Sequence, residues 1–119
     1  MHGSSISPRP TVSSYSLPDD ANEHDLYEWI PTTGEGRVFW SAWVDATTLT
    51  KDATFRLYVK VDGTTYRIFF VKAFTAATDV DGVFFDCLVG TNTSFKITVQ
   101  GAGGEGAARA LPYRVTWST

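Results

Sequence analysis

Between Ala53 and Asp62 the chain alternates strictly, with Phe55, Leu57, Val59 and Val61 set against Thr54, Arg56, Tyr58, Lys60 and Asp62. A period of two is that of a strand with one buried face, because successive side chains point to opposite sides of a pleated backbone. Asp62-Gly63 follows at once, a turn pair in which glycine accepts a positive φ, and the chain resumes as Tyr66-Arg67-Ile68-Phe69-Phe70-Val71. The spacing predicts a β-hairpin, and a hairpin is stable only within a larger sheet.

The same grammar recurs along the chain. Arg37 to Asp45, Val83 to Val89, Ser94 to Gln100 and Leu111 to Trp117 are short apolar or alternating runs, and Leu26 to Ile30 adds another. Turn-forming stretches separate them at Thr47 to Asp52, Thr78 to Gly82, Gly90 to Thr93 and Gly101 to Gly106. No window of a dozen residues carries a helical stripe. The expected fold is all-β, a two-sheet antiparallel sandwich of about eight strands, jelly-roll or immunoglobulin-like.

Four Trp, five Tyr and eight Phe in 119 residues supply enough apolar surface for one core. Hydrophobic residues make up 43% of the chain, which excludes disorder. The net charge of −3 and the lack of a basic run argue against nucleic acid as a partner. Nothing resembles a secretory signal or a membrane span, so synthesis in a cytoplasm is expected.

Residues 1 to 20 differ in kind. Six serines and three prolines before residue 19 form an extended segment unsuited to a helix or a central strand. Ile6, Val12, Tyr15 and Leu17 give this segment apolar anchors. The expectation is an extended N-terminal arm over 1–20 that lies across a neighbouring subunit, with the sandwich over 21–119.

The inventory for catalysis is thin. His2 lies in the tail and His24 stands between Asn22 and Leu26 with no nucleophile elbow anywhere in the chain. Cys87, the one cysteine, sits in an apolar run and reads as a small buried hydrophobe. Asp79-Val80-Asp81-Gly82 opens like a calcium loop but lacks a closing ligand; Asp86 is the remaining weak candidate, and a plain turn explains the motif better. The Gly101–Gly106 stretch lacks the lysine and following helix of a phosphate loop. Asn92-Thr93-Ser94 is a glycosylation triplet without a secretion signal. No catalytic residue and no cofactor are expected.

Tyr27, Trp29, Trp40 and Trp43 offer rings on which a sugar could stack. Alternation splits them, placing Val38, Trp40, Ala42 and Val44 on the buried face and Phe39, Ser41, Trp43 and Asp45 on the other. Phe39, Trp43, Phe69 and Val71 thus form a second apolar face to be covered by another chain or by the arm.

The string W-V-D-A-T-T-L-T-K-D-A-T-F-R-L-Y-V-K-V-D-G-T-T-Y-R, then D-V-D-G-V-F-F-D, then F-K-I-T-V-Q with E-G-A-A-R-A-L-P-Y-R-V, resembles small β-sandwich proteins of tailed phages and related viral metagenomic sequences. These are virion components of the decoration, cement or fibre-associated type. The resemblance spans about Trp43 to Val115, and its motifs are structural. It implies a non-enzymatic protein of the virion, bound to a capsid or tail protein of the same virus. The expected state is a homo-oligomer, with a trimer favoured. The alternative is a binding module, for glycan through Trp43 and Trp29 or steadied by calcium through Asp79 and Asp81.

Overall fold

Ala53–Lys60 and Tyr66–Phe74 pair antiparallel around the Asp62-Gly63 turn, as their alternation predicts. Gly63 has φ +80°. Asp62 Oδ1 accepts the backbone N–H groups of Thr65 and Thr64 at 2.9 and 3.0 Å. Those two bonds hold the Asp62 carboxyl down to about 2.

The computed structural model describes residues 8–32 and 34–119, which form eight strands. They are β1 (Arg9–Leu17), β2 (Glu23–Trp29), β3 (Arg37–Val44), β4 (Ala53–Lys60), β5 (Tyr66–Phe74), β6 (Val83–Thr91), β7 (Phe95–Gly101) and β8 (Arg109–Ser118). One sheet runs β1-β8-β3-β6 and the other β2-β7-β4-β5, with every pairing antiparallel. Only β4 and β5 are joined within a sheet; every other connection crosses between the two. This order is a jelly roll, which resolves the choice of topology left open above.

Phe55 and Leu57 of β4, Phe85 of β6, Ile97 and Val99 of β7, and Leu111 and Val115 of β8 are wholly buried between the sheets. At their centre Phe39 stacks on Phe95, with ring centroids 3.9 Å apart and planes 11° apart. Trp29 and Tyr27 close edge-on around Phe39.

The expected division at residue 20 meets a different structure. Arg9–Leu17 is a strand of this chain's own sandwich, paired with β8 along its full length. An edge strand needs hydrogen bonds on one side only, so it tolerates the serines and Pro10 that a central strand would not. Leu17 is buried in the core and Tyr15 packs against it. Both therefore leave the set of residues expected to meet a neighbour. Ile6 lies outside the described residues.

The faces of β3 also differ from expectation. Its pairing with both neighbours shifts between Phe39 and Ser41: against β8 Trp40 is an extra, bulged residue of β3, and against β6 the extra residue is on β6, where Cys87 and Leu88 stand opposite Trp40. A bulge adds one residue and resets the alternation. Ala42 and Val44 point inward as predicted, but upstream of the bulge it is Phe39 that enters the core. Trp40 is half-buried, its Nε1 donating to Ser118 Oγ at 2.9 Å.

The glycine-rich connection between β7 and β8 is pinned by carboxylates. Asp19 accepts the N–H groups of Glu105 and Gly106 at 2.9 and 3.0 Å. Glu105 in turn accepts from Thr50 N, Thr50 Oγ1 and Lys51 N, with Arg109 Nε 3.3 Å away. Burial alone would raise the Glu105 pKa, but these donors outweigh it and hold the carboxyl below its ordinary value.

Candidate interaction surfaces

The two solvent-facing sides of the sandwich have opposite chemistry. On the β2-β7-β4-β5 sheet the outward side chains of β2, β7 and β4 are polar and satisfy one another, with Tyr66 of β5 joining them. Glu23 Oε2 accepts from Tyr58 Oη at 2.5 Å and from Thr98 Oγ1, with Arg56 Nη1 at 3.6 Å. Tyr66 Oη donates to Glu28 Oε2 at 2.6 Å. Lys96 lies over the rings of Tyr66 and Tyr58, 4.5 and 5.2 Å from their centroids, and reaches Asp25 at 3.2 Å. Burial opposes ionisation of Glu23, but the Thr98 and Tyr58 hydroxyls more than offset it, so its pKa is lowered. Burial first, then the carboxylate partner, raises the phenol pKa of Tyr58 and of Tyr66.

The β1-β8-β3-β6 sheet presents an apolar row instead. Val12 pairs with Arg114, Arg114 with Trp43, and Trp43 with Phe84, one residue from each strand in sheet order. Their side chains share the outer face. Val12, Trp43 and Phe84 are 62%, 47% and 48% exposed. Trp43 and Phe84 meet edge to face with centroids 5.3 Å apart. Leu88 extends the patch along β6. A shallow groove of ≈ 350 Å³ lies over β8, lined by Val12, Trp43, Asp45, Pro112, Tyr113 and Arg114.

The free edge of the other sheet is apolar as well. The β4–β5 pairing shifts between Leu57 and Tyr58, making Phe69 a bulge residue. Phe69 and Phe70 consequently both turn toward the interior, to Phe95 and Phe85 respectively, while remaining partly exposed. Val71 and Ile68 face solvent. Alternation alone misses this lip, because it assigns neighbouring phenylalanines to opposite faces.

Of the residues expected at an interface, Val12, Trp43, Phe69 and Val71 are thus exposed, whereas Tyr15, Leu17 and Phe39 belong to the domain's own interior. Phe84, Leu88 and Arg114 were missed. The signal was present in V-F-F-D-C-L-V, where strict alternation buries Val83, Phe85 and Cys87 and turns Phe84, Asp86 and Leu88 outward.

The weak calcium candidates do not converge. Asp79 Oδ2 accepts the backbone N–H of Thr75, and its carbonyl accepts from Gly82 N at 3.2 Å. Asp86 lies within β6 opposite Ser41. Among the described residues no three of His, Cys, Asp and Glu gather as metal ligands. The motif needs its glycine for another reason: a Cβ at Gly82 would stand 2.1 Å from the carbonyl oxygen of Val44. His24 lies in β2, where Nε2 meets Asp20 Oδ1 at 2.8 Å. That partner lowers the Asp20 pKa. Cys87 is buried, as its apolar run predicts, and desolvation raises its thiol to about 11. Tyr27 and Trp29 serve the core, so only Trp43 of the four candidate rings offers an open face.

No family model matches this sequence, and no curated protein matches it. Among solved structures, it is similar to a chain from the Bacillus endospore appendages, which form a novel family of disulfide-linked pili. The two superpose with a TM-score of 0.56 over 95% of this chain and 86% of that one, at 14% sequence identity. The likeness is one of fold.

Proposed function

We propose that this chain is a non-enzymatic structural protein that works by packing its sandwich against other subunits. One observation carries the reading: one solvent face is an apolar row through Val12, Trp43 and Phe84, while the opposite face closes its polar groups on themselves. Exposed aromatic patches of this kind mark protein interfaces. The fold shared with a pilus-forming chain supports the same class of role.

The finer setting we propose is a virion, with the domain decorating or cementing a capsid or tail surface. It rests on the resemblance of residues 43–115 to small virion sandwiches and on the jelly-roll order, a common capsid architecture. The test is co-sedimentation of the purified chain with capsids or tails of the virus that encodes it. Retention by wild type and loss in Trp43→Asp supports the reading, and equal retention by both overturns it. The arm proposal is tested by removing residues 1–8, which spares β1; deleting residues 1–20 would take an edge strand and Leu17 out of the fold.

The groove beside Trp43 favours one second reading, a glycan-binding module. Glycan-array binding that Trp43→Ala abolishes, from a protein that attaches to no particle, would establish it.

A further inference from the structure

The outer row of the β1-β8-β3-β6 sheet reads, strand by strand, apolar, cationic, aromatic, aromatic: Val12, Arg114, Trp43, Phe84. Reversed, the row complements itself. Consider a second copy facing the first and related by a two-fold axis running along the strands between β8 and β3. The operation carries β8 over β3 and β1 over β6. Arg114 of each copy then stands over Trp43 of the other, and Val12 of each stands over Phe84 of the other.

We propose that this face is an isologous two-fold interface between two copies of the chain, its centre the reciprocal pairs Arg114–Trp43 and Val12–Phe84. The inference rests on the structural reading above and names the partner of that surface as the chain itself. A guanidinium over an indole face is a favourable cation–π contact, and among the described residues neither the Arg114 nor the Trp43 side chain has an ion-pair or hydrogen-bond partner. The flanking rows permit the approach. On one side Pro10, Thr116, Ser41 and Asp86 follow in sheet order, so the axis brings Asp86 over Pro10 and Thr116 over Ser41. On the other, Pro112 lies beside Asp45, whose backbone N–H it accepts at 2.8 Å, and each meets the other's copy. No like charges stand directly over one another; the two Arg114 side chains flank the axis one strand spacing apart, each over the partner's Trp43. The groove beside Val12 and Pro112 offers room for the partner's Phe84 ring.

Size sets the strength. Four strands at about 4.8 Å spacing and eight residues at about 3.3 Å make a face of roughly 500 Å². The pair therefore covers about 1,000 Å², the low end for a specific interface, and a dissociation constant of about 1–100 µM is expected. The two-fold replaces the expected trimer for this surface, because the row complements its own reversal and not a three-fold neighbour.

Sedimentation equilibrium of the full chain from about 1 µM to about 1 mM should show monomer passing to dimer. Trp43→Ala should weaken the dimer roughly 30-fold, as for a central aromatic anchor, without loss of fold because the ring is exposed. Arg114→Glu should weaken it as well. The symmetry is read by cross-linking with a bis-maleimide spanning about 8–10 Å, the separation of facing sheets. Val12→Cys mixed with Phe84→Cys should cross-link. Neither variant should do so alone, because like positions stand about 17 Å apart, three strand spacings across and one sheet separation through. Val12→Cys cross-linking to itself, or a dimer indifferent to Trp43→Ala, overturns this interface and leaves the structural role intact. A monomer at every concentration that still attaches to particles does the same. A monomer that attaches to nothing overturns both.

Discussion

Phe39 of β3 and Phe95 of β7 stack face to face across the two sheets, 3.9 Å between centroids. Neither ring has any exposure, and Trp29, Tyr27 and Phe69 close around the pair. Removing one ring leaves a cavity that flat aromatic neighbours cannot collapse into. Phe39→Ala should therefore cost about 3–5 kcal/mol of folding free energy, and Phe39→Leu appreciably less. Urea denaturation followed by tryptophan fluorescence measures both; a loss below about 1 kcal/mol for the alanine variant would place Phe39 outside the core.

Phe39 also shows where sequence patterning stops. The β4–β5 hairpin, the alternation of β6 and the two-sheet class are legible, because each follows from a period of two and from glycine at a turn. The face of Phe39 is not, because the bulge at Trp40 shifts the register of β3 against two neighbours at once. A bulge depends on how strands meet, and no local composition marks this one. The same holds for Phe69 and Phe70 on β5. Arg9–Leu17 reads as an arm for a different reason: proline and serine disfavour a central strand, and the sequence does not say that the position is an edge. The outer row escapes notice because it assembles from four strands that are far apart in the chain.

Gly82 begins the run into β6 with φ +96°, and the space for a side chain is filled by the Val44 carbonyl oxygen at 2.1 Å and the Ala46 amide nitrogen at 2.9 Å. Both contacts are backbone, so neither can swing away. Gly82→Ala should destabilise the domain by about 2–4 kcal/mol, combining left-handed strain with a displaced β3–β6 junction. Gly34→Ala is the control, since its φ is also positive but, among the described residues beyond its chain neighbours, no atom lies within 4 Å of the added carbon. Thermal melts of the two variants should differ clearly; equal shifts would mean that φ alone matters.

Glu105 links stability to pH. Its folded pKa lies below the ordinary glutamate value of 4.5, because its bonds to Thr50 and Lys51 outweigh burial. A depressed carboxylate pKa contributes stability that is fully present above the unfolded value and is lost as pH falls through the folded one. Glu105→Gln should lower stability at pH 7 by about 1–3 kcal/mol, the cost of losing charge-assisted bonds to the Thr50–Lys51 backbone. The gap between variant and wild type should narrow as pH falls below about 4.5. Stability titrations of the two proteins check the sign: a gap that widens in acid would contradict it.

Cys87 separates this chain from the disulfide-linked pili whose fold it shares. It is the sole cysteine, it faces the core from β6, and burial raises its thiol to about 11. At pH 8 the thiolate is then a very small fraction, and the sulfur has no open approach. A disulfide between subunits would need both a thiolate and a partner sulfur within reach, and the folded domain supplies neither. Whatever holds copies together should therefore be noncovalent. A thiol reagent at pH 8 should label the folded protein at the rate of unfolding, and the unfolded chain at once. Reducing agent should leave the sedimentation profile unchanged. Rapid labelling of the native protein, or dissociation by reductant, would show that Cys87 is exposed by a motion the packed sandwich does not contain.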